Sequence, residues 1–154
     1  MIQLSPNISN MQVKIKRIDN TLPLPAYQTK GAVAFDIYSR IDLTIEPKSI
    51  ALIPTNLIIE TPAGYMLVVV PRSSTPKKKG LSIPHGIGII DQDYCGPNDE
   101  ILYQVYNFTD SKVEITKGER VGQAAFMRVD RGEWEEGEAT NTASRGGFGS
   151  TGEK

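Results

Sequence analysis

The sequence predicts an all-β fold, and three features carry that prediction. Apolar and polar residues alternate along several short segments. No segment shows a helical apolar stripe longer than about two turns. Finally, 14 Gly and 10 Pro punctuate the chain at the close spacing of a sandwich, barrel or jelly roll.

The first candidate strand is QVKIKRI, residues 12–18, where Val13, Ile15 and, after a slip, Ile18 share an inner face. GAVAFDIYSR, residues 31–40, follows and carries Asp36 in mid-strand. An acid there is disfavoured unless it is paired or lies near a metal. IDLTIEP, residues 41–47, sets Ile41, Leu43 and Ile45 on one side. SIALIPTNLIIE (49–60) and GYMLVVVPR (64–72) are richer in β-branched residues and read as more buried strands, cut by Pro and Asn turns. GIGIIDQDYCG, residues 86–96, reads as a hairpin whose apex aims Asp91, Asp93 and Tyr94 at one small volume. ILYQVYNFT (101–109), KVEITKG (112–118) and ERVGQAAFMRV (119–129) complete the strands. One stretch is separable, Gly132 to Lys154, acidic at first and glycine-rich at its end. The expected organisation is therefore one domain over 1–131 and a C-terminal arm over 132–154.

At 154 residues the chain has the size of one domain with a real core. Its 17 basic and 18 acidic residues are interspersed and sum to a formal charge of -1, so no global field draws in nucleic acid or a membrane surface. An anionic substrate has to be met by local groups. Cys95 is the single cysteine and His85 the single histidine. This excludes an intrachain disulfide, a cysteine cluster and two-histidine metal sites, and it suits a reducing compartment. The N-terminal MIQLSPNISN lacks the pattern of a signal peptide, and no run approaches about 18 apolar residues. A cytoplasmic protein is expected.

Four stretches carry residues suited to chemistry. In GIGIIDQDYCG a carboxylate could orient or deprotonate a water while the tyrosine ring packs on a flat sugar; the same spacing also describes an ordinary solvated turn. In VPRSSTPKKKG, residues 70–80, Arg72 offers a bidentate fork, and Ser73 and Ser74 add hydroxyls to an anion-binding concavity. Lys77, Lys78 and Lys79 read as a solvated run. In KGERVGQAAF, residues 117–126, Gln123 is expected to face the same way as Val121, either exposed at an edge or recruited to a site. The terminal SRGGFGSTG, residues 144–152, is either a solvated tail or a flap that orders on a ligand, with Arg145 for phosphate and Phe148 for a base. It is not a Walker A loop, because Glu153 stands where that loop needs lysine.

Taken in order, GAVAFDIYS, PRSS, GIGIIDQDYCG, KGERVGQ and RGGFGSTG resemble the five motifs of the trimeric deoxyuridine triphosphatases, the dUTPases. The resemblance spans Gly31 to Gly152. It implies a distorted jelly roll of the β-clip type, assembled as a homotrimer with active sites at the subunit interfaces. It further implies hydrolysis of dUTP to dUMP and pyrophosphate, with Mg²⁺ carried on the triphosphate. Asp91 would activate the water that attacks the α-phosphorus, and Tyr94 would pack on deoxyribose. The backbone around Ile89, Ile90 and Leu102 would read the uracil edge. His85 stands where several relatives place a uracil-contacting Asn and is grouped with the substrate-binding residues. Arg72, Ser73 and Ser74 would bind phosphate from a neighbouring subunit, with Gln123 close by, and Asp36 would lie near the metal through water or help hold the assembly. From the arm, Phe148 would stack over uracil, while Arg145, Gly149, Ser150 and Thr151 would engage the β- and γ-phosphates. Two further departures are Ser74, where many relatives have Gly, and about three extra residues, Pro97 to Asp99, in the hairpin turn.

Two other readings compete. A dCTP deaminase of the same fold needs an acid on the strand after the hairpin, and ILYQVYNF has none beyond Glu100 at its start. A non-hydrolysing nucleotide-binding regulator is expected to lack the acid or the arm, whereas Asp91, Tyr94, Arg145 and Phe148 are all present.

Overall fold

The structure is a computed structural model that describes residues 11–137 together with 143, 144, 146 and 147. Its strands in chain order are β1 (Lys14–Arg17), β2 (Phe35–Tyr38), β3 (Leu43–Ile45), β4 (Ile50–Pro54), β5 (Leu57–Glu60), β6 (Tyr65–Val70), β7 (Leu81–Ser82), β8 (Gly88–Ile90), β9 (Leu102–Asn107), β10 (Val113–Ile115) and β11 (Arg120–Arg128). The one helix among the described residues is α1 (Thr75–Lys79), short because Pro76 opens it and Gly80 closes it at φ 66°. A side chain at Gly80 would collide with Thr109 Cγ2.

Every strand pairing is antiparallel: β2-β11-β6-β8 form one sheet, β4-β9-β7 a second, and β1-β5 and β3-β10 two ribbons. All four enclose one apolar cluster that includes Phe35, Ile37, Ile53, Leu67, Tyr103 and Val105. The expected all-β architecture is the one observed. Two buried asparagines hold the loops around this core. Asn56 adopts φ 72° in the turn between β4 and β5, where its side chain bonds both the N–H and the C=O of Asp19 at 2.6 and 2.9 Å. Asn107 donates to the carbonyls of Ile45, Glu46 and Ser111 and accepts from Thr109.

Three local expectations are corrected. The slip in QVKIKRI is absent: Arg17 takes the inward position and donates to the Leu22 carbonyl at 2.6 Å, leaving Ile18 43% exposed. A snorkelling guanidinium that finds a carbonyl replaces an apolar contact there. Gln123 does not face with Val121, because β11 bulges between Arg120 and Gly122 against β2. Val121 and Gly122 both turn inward, and a Cβ at Gly122 would sit 3.1 Å from Ile37 and 3.2 Å from Tyr103. Finally, β8 and β9 do not form a hairpin ladder with each other. β8 pairs with β6, and β9 with β4 and β7, so the segment between them passes from one sheet to the other.

Candidate active site

Strand register assembles one group of the expected residues. Gln123 on β11 lies opposite Asp36 on one side and Val70 on the other, so Asp36, Gln123 and the residues just after β6 come abreast. The Gln123 amide donates to the Pro71 carbonyl at 3.0 Å, tying β11 to the exit of β6. Asp36, buried in mid-strand, is shared by two cations. Its Oδ1 lies 3.0 Å from Arg72 Nε and its Oδ2 lies 3.1 Å from Arg120 Nη1. A buried acid is tolerable because both its oxygens are paired. Arg120 had no role in the sequence reading, and only its lateral position beside Asp36 marks it.

Beyond β6 the chain turns sharply, with the Thr75 N–H on the Arg72 carbonyl at 2.9 Å. Ser73 is exposed, and Ser74, half-buried at the start of α1, makes no side-chain cap bond. Arg72, Ser74, Lys78, Lys79, Glu119 and Arg120 line a cleft of about 340 Å³. Cations predominate there, because Glu119 is engaged by Lys79 at 2.7 Å. Such a cleft suits an anion with several oxygens.

The second group lies at the opposite end of β6. Because Leu67 pairs with Ile90, Asp91 follows near Met66, six residues along β6 from Arg72. At a rise of about 3.3 Å per residue this separates the two groups by roughly 20 Å. Asp91, Gln92, Asp93, Tyr65, Met66, Val129 and Arg131 line a cleft of about 440 Å³. The Tyr94 N–H bonds the Asp91 carbonyl at 3.3 Å, and the Gln92 amide bonds the Tyr65 carbonyl at 2.9 Å. The Tyr94 hydroxyl donates to the Glu100 carbonyl at 3.1 Å, and its ring remains 37% exposed. Pro97 to Asp99 are folded into a tight turn, with the Gly96 N–H on Asp99 Oδ2 at 2.7 Å and the Asp99 N–H on the Gly96 carbonyl at 3.1 Å.

The remaining expected residues divide as follows. Ile89 is exposed on β8, Ile90 packs against the core, and His85 is exposed in the loop before them. Leu102 is exposed at the start of β9. Arg145, Phe148, Gly149, Ser150 and Thr151 lie outside the described residues. One chain thus presents two separated groups: a carboxylate and a ring at one end of β6, and guanidinium groups and hydroxyls at the other. Among the described residues no group of three or more His, Cys, Asp or Glu could hold a metal ion, and no helix is long and apolar enough to cross a membrane.

Comparison with known proteins bears on this arrangement. The chain is 39% identical over 148 residues to the deoxyuridine 5'-triphosphate nucleotidohydrolase of Dictyoglomus turgidum, covering 92% of this chain and 99% of that one. The crystal structure of dUTPase from Streptococcus mutans superposes with a TM-score of 0.72 at 32% identity, covering 78% of this chain and 98% of the other. A Staphylococcus bacteriophage 80alpha dUTPase with dUPNHPP shares the fold at a TM-score of 0.82 and 23% identity, covering 93% and 99%. Residues 20–152 match the dUTPase family model, and with the identity to its curated relatives this shows that the chain belongs to the dUTPase family, a family of hydrolases.

Proposed function

We propose that the chain hydrolyses dUTP to dUMP and pyrophosphate at composite sites, each built from more than one copy of a homotrimer. The observation that carries this reading is the separation of the two half-sites along β6. The attacked α-phosphorus and the phosphates beyond it are too close together for one substrate to reach Asp91 and Arg72 of the same chain. A neighbouring copy that brings its Arg72 end to the Asp91 end closes the gap, and cyclic symmetry repeats the contact.

In this site Asp91 orients and deprotonates the attacking water, and Tyr94 packs against deoxyribose. Ile89, Ile90, His85 and Leu102 border the uracil, with exposed Ile89 offering an apolar surface to the base. From the neighbouring copy, Arg72, Ser73 and Ser74 bind phosphate. Asp36 holds Arg72 by its Nε edge, and Gln123 holds the preceding carbonyl. Phosphoryl transfer asks mainly for positioning and charge neutralisation, which this arrangement supplies. Mg²⁺ would come bound to the triphosphate as part of the substrate and would supply charge withdrawal from the phosphoryl oxygens. Both Asp36 oxygens are occupied by guanidinium groups, so Asp36 acts toward such an ion only through water. The arm over 132–154 brings Arg145 to the β- and γ-phosphates, with Gly149, Ser150 and Thr151, and lays Phe148 over uracil. Such an enzyme limits uracil incorporation into DNA and supplies dUMP for dTMP synthesis, tasks of a cytoplasmic protein.

The deaminase reading loses its acid. Of the two acids just before β9, Asp99 is engaged by the Gly96 N–H at 2.7 Å, and the Glu100 carboxylate is taken by Arg40 at 2.8 Å and by the Asn56 N–H at 2.8 Å. The test is pyrophosphate release from dUTP, dCTP, dTTP and UTP with Mg²⁺. It compares the intact protein, Asp91→Asn and a chain ended after Thr142. Release from dUTP alone is expected, lowered by a factor of about 10² to 10⁴ in Asp91→Asn and strongly reduced without the arm. Ammonia release from dCTP, or no release from dUTP, would reject the reading. Full activity of the shortened chain would make SRGGFGSTG only a tail.

A further inference from the structure

We propose that Arg40 and Glu100 form a positioning clamp that sets the Tyr94 ring and thereby the discrimination between deoxyribose and ribose, an inference resting on the role given to Tyr94 above. The segment from Asp91 to Glu100 crosses from the β8 sheet to the β9 sheet with no ladder between those strands. The ring therefore depends on discrete anchors. Its hydroxyl is held by one of them, the main-chain carbonyl of Glu100 at 3.1 Å.

That carbonyl shares its peptide with the Ile101 N–H, which is held on the Leu57 carbonyl at 2.9 Å, and the Glu100 side chain fixes the residue from the other side. The Glu100 side chain, 12% exposed, accepts Arg40 Nε on Oε1 and Arg40 Nη2 on Oε2, both at 2.8 Å. Oε1 also accepts the Asn56 N–H at 2.8 Å. Arg40 is in turn anchored by its own N–H on the Pro54 carbonyl at 2.8 Å. Tyr94 is thus tied through Glu100 to the turn between β4 and β5, which Asn56 locks from the other side.

The chemistry of the pair suits positioning better than stability. A two-point guanidinium–carboxylate fork fixes both distance and rotation, which an apolar contact of the same size does not. A half-buried pair of this kind contributes little net stability over well-packed apolar residues, since desolvation offsets the attraction. Pro97 to Asp99 stand between the ring and its anchor, and their own turn is closed by Asp99, so the crossing segment meets the rigid scaffold at Glu100, through its side chain, and at Ile101, whose N–H and C=O bond Leu57 and Thr55.

The test measures kcat/KM for dUTP and for UTP in the wild type, Tyr94→Phe, Arg40→Met, Glu100→Gln and the double variant Tyr94→Phe with Arg40→Met, with Tm taken alongside. Tyr94→Phe keeps the ring and removes only its anchor, and Glu100→Gln is isosteric. Each single variant is expected to lower the dUTP-to-UTP ratio about tenfold, and the double variant no further, because both changes break one linkage. A ratio that stays constant while Tm falls would make the pair merely structural. A ratio that falls only in Tyr94→Phe would overturn the clamp. If the wild type released no pyrophosphate, the enzyme reading would fail, and the relative affinities for dUMP and UMP would judge the clamp. A preference for dUMP lost in Arg40→Met would support it, and a preference unchanged or absent would overturn it.

Discussion

Asp36 and Asp19 show how the same side chain is put to different uses by its neighbours. Asp36 is buried and shared between Arg72 and Arg120, so its task is to aim guanidinium groups. Asp19 is held outside the site by an ion pair with Lys117 and by the N–H and hydroxyl of Thr21 at 2.8 and 2.6 Å. Lys117 first, and then Thr21, hold its carboxyl well below the usual carboxylate range. A carboxylate depressed in the folded state adds stability above its unfolded value of about 3.9 and loses that stability as the pH falls through the folded value. Asp19→Asn keeps the Thr21 bonds and removes the charge. Its Tm is expected to fall short of the wild type near pH 7, with the gap closing as the pH drops below about 4. Thermal melts from pH 7 to about pH 2.5 read this directly; a constant gap would show that Lys117 contributes nothing. Sequence reading marked Asp36 as an acid needing a partner, but Asp19 gave no signal because its partner lies far along the chain.

Among the elements, β11 does the most to place the Arg72 end of the candidate site. Its bulge turns Val121 and Gly122 inward together and so puts Gln123 outward, against the exit of β6. Period-two reading through VGQ predicts the opposite face for Gln123, because a bulge inserts one residue that alternation cannot register. Gly122 is the residue that permits it, since a Cβ there meets Ile37 at 3.1 Å and the fully buried Tyr103 ring at 3.2 Å. Gly122→Ala is expected to destabilise by about 1–3 kcal/mol through overpacking. The readout is a lower urea midpoint with an unchanged slope, and an unchanged midpoint would show that Tyr103 moves aside freely. The same limit applies to β8: GIGII reads correctly as a strand, while its partner, β6 and not β9, is a tertiary choice.

At the scale of the whole molecule, the Asp91 group and the Arg72 group of one chain stand apart at opposite ends of β6. Exposed Ile50, Leu52 and Leu102 on β4 and β9 add an apolar strip of the kind that a neighbouring subunit covers. The proposed composite sites have a consequence that sites within one chain do not. Asp91→Asn and Arg72→Met chains are each expected to be inactive alone, yet trimers assembled from an equal mixture should regain about a quarter of wild-type turnover, since one site in four then pairs an intact Asp91 with an intact Arg72. Turnover of co-refolded mixtures measures this, and inactivity across all mixing ratios would place both residues in one chain's site.

The sequence by itself determined the all-β class, the positions of most strands and the residue types that gather at the two ends of β6, because alternation, turn residues and short motifs are local and survive without knowledge of the fold. Tertiary structure alone decided that β8 joins β6, that Gln123 faces outward, that Asp36 serves two arginines and that Glu100 is bound by Arg40. Each of these joins residues far apart in the chain, and strand register and packing, which no local pattern encodes, bring them together.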